Sequence, residues 1–254
     1  MNNFRDALVR ILMFALVFVS WMWVLAQPFS VTVNLAIIVG AVLLVFPVVW
    51  LGRLLLDADP QPEAAAWLTS LIHAFLMVLF GAAIIRALES YESWRGWVIP
   101  VPLAVAMALV IVTGVFAGLA VLNLALSGRG APFGIALSRH LAVDWLYAWT
   151  RNPMVLATLA FLVTLGLWFQ SGLFVLWVLL LMTPALLFFV KLFEERELEI
   201  RFGDPYLQYK ARTPMLMPRK PALPQMAPTR ARTQAKSSSR KQAPRRVARK
   251  RSKK

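Results

Sequence analysis

Two polar clusters interrupt an otherwise apolar chain, and both hold residue types that can do chemistry. The earlier begins Ser127-Gly128-Arg129-Gly130-Ala131-Pro132, passes Leu141 and Ala142, and ends Tyr147-Ala148-Trp149-Thr150-Arg151-Asn152-Pro153-Met154. The later is Glu194-Glu195-Arg196-Glu197-Leu198, followed by Phe202-Gly203-Asp204-Pro205-Tyr206, Tyr209, Pro214 and Pro218. Adjacent carboxylates at the edge of an apolar segment suit a cationic partner. Glycines let backbone N–H groups approach an anion, and aromatic rings pack against a flat ring or a cation. With no cysteine and two histidines, thiol catalysis, thiolate metal sites and a histidine-rich metal centre are excluded, and no metal is expected.

Each residue also has an ordinary role. Gly128 and Gly130 can turn the chain, Arg151 can anchor at the membrane interface, and Pro153 suits the first turn of a helix. Glu197 and Arg201 lie four apart, the spacing of a pair on a helix surface. His140 and Asp144 are candidate bases for a protic acceptor, with interfacial structure as their simpler role. His73, in mid-span, reads as a helix–helix hydrogen-bonding residue.

The elements that must position these clusters are membrane helices. The chain has 254 residues, 59% hydrophobic and 15% charged, more apolar surface than a soluble domain could hide. Six stretches approach the roughly twenty apolar residues that cross a bilayer: 7–25, 31–51, 67–85, 98–126, 154–169 and 173–193. The fold expected is all-α and polytopic, with about six transmembrane helices. Gln170, Ser171 and Gly172 join the last two as a tight hairpin, which brings the clusters to one membrane face. Gly114 and Gly118 form a small-xxx-small pair that marks a close helix contact. The first span, preceded by Arg5 and Arg10 and carrying Trp21 and Trp23, reads as retained rather than cleaved as a signal peptide.

Charge sets orientation. Residues 1–190 hold eight Lys/Arg and seven Asp/Glu, whereas 191–254 hold nineteen and five, so the net +15 belongs almost wholly to the C-terminal part. Arg53, Arg129, Arg139 and Arg151 share one side with the basic N-terminus. Both termini are therefore expected in the cytoplasm of a bacterial inner membrane or its equivalent. Residues 219–254 carry fourteen Lys/Arg and no acid and read as a disordered tail held to anionic lipid; nucleic acid is the other polyanion that such charge admits.

The run Tyr147-x-Trp149-x-Arg151-x-Pro153, the hairpin, and then Glu194-Glu195-x-x-Leu198-x-x-x-Phe202-Gly203-x-x-Tyr206-x-x-Tyr209 resembles the isoprenylcysteine carboxyl methyltransferase and phospholipid methyltransferase superfamily. The resemblance covers about residues 127–218. It implies a membrane methyltransferase whose cofactor, S-adenosylmethionine, sits in a pocket of the last spans and C-terminal segment, with a lipid-like or small acceptor entering from the bilayer. Position by position, the cofactor contacts implied are Leu141, Ala142, Tyr147, Arg151, Asn152, Pro153, Met154 and Glu194. Glu195 completes the acidic pair, and Gly128-Arg129-Gly130 resembles the phospholipid branch's glycine element. Tyr147 or Trp149 would pack against the adenine or the cation.

The chain also departs from the pattern. Asn152 stands where the isoprenylcysteine enzymes carry His, and Val155 replaces their Tyr. Val190 stands where carboxyl-methylating members place an Arg, with Lys191 turned about 100° away on a helix. The organisation expected is helices 1–126, a methyltransferase-like core 127–218 and the tail 219–254. Two other classes stay open: a membrane reductase of steroid-reductase type using NADPH, and a non-catalytic membrane protein whose tail binds lipid or nucleic acid. Neither the oligomeric state nor the identity of the acceptor is legible.

Overall fold

The computed structural model describes residues 2–90, 96–128 and 140–220. Among them there are helices and no strand beyond one isolated bridge, Val98 to Ser171. Three long helices come first: α1 (Asn2–Ala26), α2 (Val31–Ala58) and α3 (Pro62–Glu89). Then follow α4 (Leu103–Asn123), a single turn α5 (Leu146–Trp149), and α6 (Pro153–Trp168). The helix α7 (Gly172–Phe202) runs on past the expected end at Phe193, so the second polar cluster is a continuation of a spanning helix. A surface helix α8 (Asp204–Arg212) closes the described chain.

Local chemistry sets the boundaries. Ser30 caps α2 by accepting from Val33 N–H at 3.4 Å, and Ser171 caps α7 through Phe174 N–H at 3.2 Å. Pro62 and Pro153 sit at the first turns of α3 and α6, where a missing N–H costs nothing. Between α6 and α7 the chain turns through Gln170 at φ 55°, and Ser171 N–H returns to the Gly166 carbonyl at 2.9 Å. Gly166 permits this hairpin, because a Cβ there would stand 2.7 Å from Val175.

Among the described residues, five helices are long and apolar enough to cross a bilayer: Leu8–Ala26, Val31–Ala58, Pro62–Glu89, Leu103–Ser127 and Gly172–Phe202. The fifth expected span, 154–169, is shorter. At 1.5 Å per residue, the 16 residues of α6 reach about 24 Å, against about 30 Å of hydrocarbon. Its length is set by Pro153 at one end and the hairpin at the other.

The helices pair as α2 with α3, α3 with α1, and α4 with α6. Trp21 of α1 lies over Gly81 of α3 and donates its indole N–H to the Met77 carbonyl at 2.9 Å. Thr113 and Thr164 join α4 to α6 at 2.9 Å. Of the expected small-residue pair only Gly114 marks a contact: a Cβ there would stand 3.5 Å from the Phe161 ring, whereas one at Gly118 would meet no described atom within 4 Å. Buried residues of α2, α3, α6 and α7 form the core, among them Val42, Val45, Leu56, Ile72, Leu162, Trp177 and Phe193. Away from the polar clusters, Arg86 is buried and donates to Asn34, Val24 and Gln27, which ties the α1–α2 turn to α3. The N-terminus of α6 and the C-terminal end of α7 meet at the opposite end of the bundle, the site end.

Candidate cofactor and acceptor cavity

A strap holds the two clusters together. Arg151 N–H donates to the Pro214 carbonyl at 2.9 Å, and both the Thr150 hydroxyl and the Asn152 amide donate to the Met215 carbonyl, at 3.1 and 2.9 Å. The Tyr209 hydroxyl donates to the Tyr147 carbonyl at 2.7 Å. Arg219 N–H reaches the Trp149 carbonyl at 3.0 Å, so this packing continues past the expected tail boundary at Pro218. The segment after α8 thus folds back across α5 and the start of α6. Residues 221–254, the rest of the expected tail, lie outside the described residues.

The adjacent glutamates have different surroundings. Glu195 is buried and accepts from Arg151 Nη2 at 2.7 Å and from Lys210 at 2.8 Å, with Lys191 at 3.4 Å. Burial works to lower the pKa of Lys210, but hydrogen bonds to Glu195 and Glu199 raise it overall, so this amine keeps its charge. Glu195 is the anchor that fixes α7 to Arg151 and α8. Glu194 is different: no described residue bonds or pairs with its carboxylate, and the charges that act on it are those of Glu197 and Glu195. A carboxylate placed among like charges with no cation lacks a partner.

Arg151 supplies the complement. Its Nη1 donates to the Lys210 carbonyl at 3.0 Å and its Nη2 to Glu195, leaving Nε buried without a partner among the described residues. Glu194 and Arg151 line one cavity of about 520 Å³, within the usual range of small-molecule sites. Its polar end is walled by Tyr147, Arg201, Phe202, Tyr206 and Tyr209, with Leu141 and Ala142 alongside. Burial raises the pKa of each of these tyrosines above the usual phenol value, aided by the charge of Glu194 at Tyr147 and of Glu195 at Tyr206, so all three stay neutral donors.

From that end the cavity continues as an apolar groove. Met154, Val155 and Thr158 of α6 and Met182, Leu186, Phe189 and Val190 of α7 form two sides. On α3 the lining runs from Thr69 through Leu76, Phe80 and Gly81 to Ile85. Those sixteen residues of rise amount to about 24 Å of depth. The turn Val190–Glu194 has i→i+5 bonding, which stacks residues five apart and puts Phe189 and Glu194 on the same cavity wall.

Of the implied contacts, Leu141, Ala142, Tyr147, Arg151, Asn152, Met154, Glu194 and Glu195 line the cavity together. Pro153 is buried behind them as the first residue of α6, and Gly128 ends the turn that follows α4. Arg129 and Gly130 lie outside the described residues. Other expectations need correction. Trp149 is 46% exposed and does not line the cavity, so the aromatic wall is Tyr147, Phe202, Tyr206 and Tyr209. Glu197 is 2% exposed, bonded to Arg201 at 2.5 Å, and part of the lining, not a surface pair. Asp144 faces α4, accepting from the Asn123 amide at 3.4 Å. His73 bonds the Thr69 carbonyl of its own helix at 2.8 Å, not another helix, and lines the groove. Lys191 points outward, as its helical angle predicts, with its side chain 64% exposed.

No curated protein and no solved structure matches the chain significantly. The family model for phospholipid methyltransferases does match, over residues 101–205, a segment that holds α4, α6, α7 and both unpartnered groups of the cavity. That segment is therefore similar to the phospholipid methyltransferase family, within the superfamily that also includes the isoprenylcysteine carboxyl methyltransferases.

Proposed function

We propose that this protein transfers a methyl group from S-adenosylmethionine to a lipid-like acceptor at the cytoplasmic face of the membrane. One observation carries the reading: an unpartnered carboxylate, Glu194, and an unpartnered guanidinium N–H, Arg151 Nε, line one cavity that opens into an apolar groove. Those groups complement an amino-acid zwitterion, the ammonium toward Glu194 and the carboxylate toward Arg151. Tyr147, Phe202 and Tyr206 offer faces for a purine. The groove suits the hydrocarbon part of an acceptor, which reaches it from the bilayer.

S-adenosylmethionine bound there supplies an electrophilic methyl on a sulfonium. The residues of the chain bind, align and exclude water; in-line displacement needs little else. Glu195, held by Arg151 and Lys210, fixes the distance between α6 and α7 and so the alignment of donor with groove. A nicotinamide cofactor fits less well, because its phosphates would meet Glu194, Glu195 and Glu197. The basic tail would hold the site end to anionic lipid, each Lys or Arg near the surface contributing about 1 kcal/mol.

The test is transfer of label from methyl-labelled S-adenosylmethionine into a total membrane lipid extract by the purified protein in detergent. Label entering the organic phase, and abolished by S-adenosylhomocysteine, is expected. No transfer to any fraction of the extract overturns the proposal.

A further inference from the structure

Helix α3 brings a polar pair to the groove that cofactor binding leaves unused. His73 lies in the middle of this spanning helix and lines the groove, its ring edge-on to Phe189 with centroids 5.1 Å apart. Its Nδ1 is 2.8 Å from the Thr69 carbonyl oxygen. A carbonyl can only accept, so in the neutral imidazole the proton sits on Nδ1 and Nε2 carries the lone pair. No described residue bonds Nε2. One turn nearer the site end, Thr69 is 1% exposed with its Oγ1 unpartnered among the described residues. His140 lines the cavity too, but no bond to a described residue sets its tautomer.

The depth of His73 matters. It meets Phe189, five residues before Glu194 on the same wall, so it lies about one i→i+5 turn below that carboxylate. This level is the junction of the polar end with the apolar groove, where the head of an amphiphile would stand if its tail filled the groove. An Nε2 lone pair and the Glu194 carboxylate both repel an anionic head, and Val190 adds no cation. Both attract an N–H or an O–H.

We propose that His73 is the proton acceptor of the methyl-transfer step, its Nε2 taking the N–H or O–H proton of a protic amphiphile whose tail lies in the groove. The inference rests on the methyltransferase reading above and narrows its acceptor. As the acceptor nitrogen or oxygen bonds to the methyl carbon, the carbon–sulfur bond breaks and its electron pair stays on sulfur as a thioether. The acceptor's proton passes to Nε2, and the imidazolium returns it to water. For an amine arriving as ammonium, the same proton transfer comes first and frees the attacking lone pair. The carboxylate acceptors of isoprenylcysteine enzymes need no such base.

The experiment uses the full chain in detergent with three probes: dioleoylphosphatidylethanolamine, a long-chain alkylphenol and oleic acid. Binding of S-adenosylmethionine is measured first, and its absence from the parent removes the methyltransferase reading and this inference together. Given binding, the parent should methylate one or both protic probes and not oleic acid. General-base assistance contributes about 10²–10⁴-fold, so His73→Gln should lower the rate at saturating donor about a hundredfold with donor affinity unchanged. Independently of activity, diethyl pyrocarbonate should modify His73 in the parent, and the methylated probe should protect it. Preference for oleic acid, transfer to no probe, a His73→Gln rate within threefold of the parent, or modification of His73 unaffected by the probe would each overturn the inference while leaving donor binding intact. Equal losses of donor affinity in His73→Gln and His73→Phe would assign His73 a structural role and overturn it as well.

Discussion

Replacing either member of the acidic pair by glutamine should have opposite consequences, because the two carboxylates have different partners. Glu195 is 3% exposed and held by Arg151 and Lys210 at 2.7 and 2.8 Å. Glu195→Gln leaves those cations without a counter-charge, and breaking a buried pair on one side costs about 3–5 kcal/mol. The variant should unfold at clearly lower temperature. Glu194 has no partner to lose and faces the charges of Glu197 and Glu195. Glu194→Gln removes that repulsion, so the apoprotein should unfold at the same temperature as the parent or higher. Its cost should fall on the ligand: losing one side of a desolvated charge pair typically takes about 2–5 kcal/mol, or roughly 30-fold to a few thousand-fold in affinity. Thermal unfolding in detergent and equilibrium binding of S-adenosylmethionine, measured side by side on the three proteins, give both numbers. Two outcomes refute the reasoning: Glu194→Gln that binds like the parent, or Glu194→Gln that is destabilised as much as Glu195→Gln.

Three further expectations follow from the same geometry. Gly81→Val should displace Trp21 from α3 and cost about 1–3 kcal/mol of overpacking, seen as a lower unfolding midpoint; an unchanged midpoint would mean that α1 docks otherwise. Truncation after Lys220 should keep cofactor affinity and lose salt-sensitive adhesion to anionic vesicles, whereas truncation after Pro218 also removes the Arg219–Trp149 bond and should loosen the strap, read as faster proteolysis near Trp149. A reporter fused after Lys254 should behave as cytoplasmic, and activity on the opposite side would show that α6 does not span.

What was legible in the sequence and what was not divides along local and long-range physics. Apolar run length placed every long helix, since a span must bury its own backbone polar groups. The prolines and the Gln170-Ser171-Gly172 turn marked the ends of α6, and the acidic pair pointed to α7. The roles within that pair were not legible, because they depend on Lys210 and on Arg151, forty-four residues away from Glu195. Nor did anything local announce that α7 would widen into i→i+5 turns and bring Phe189 and Glu194 to one wall. His73 carried a usable signal, an ionisable residue in mid-span, but its facing depends on how α3 packs against α7. Trp149 showed the converse: its neighbours in sequence line the cavity, while the turn at Trp145, with φ 49°, leaves Trp149 facing outward.

What occupies the cavity lined by Glu194 and Arg151 decides the function of the protein. Equilibrium binding of labelled S-adenosylmethionine and of NADPH to the purified, detergent-solubilised parent tests this directly. Saturable S-adenosylmethionine binding in the micromolar range, competed by S-adenosylhomocysteine, is expected, and none for NADPH. Saturable NADPH binding, or no binding of either, would contradict the methyltransferase reading.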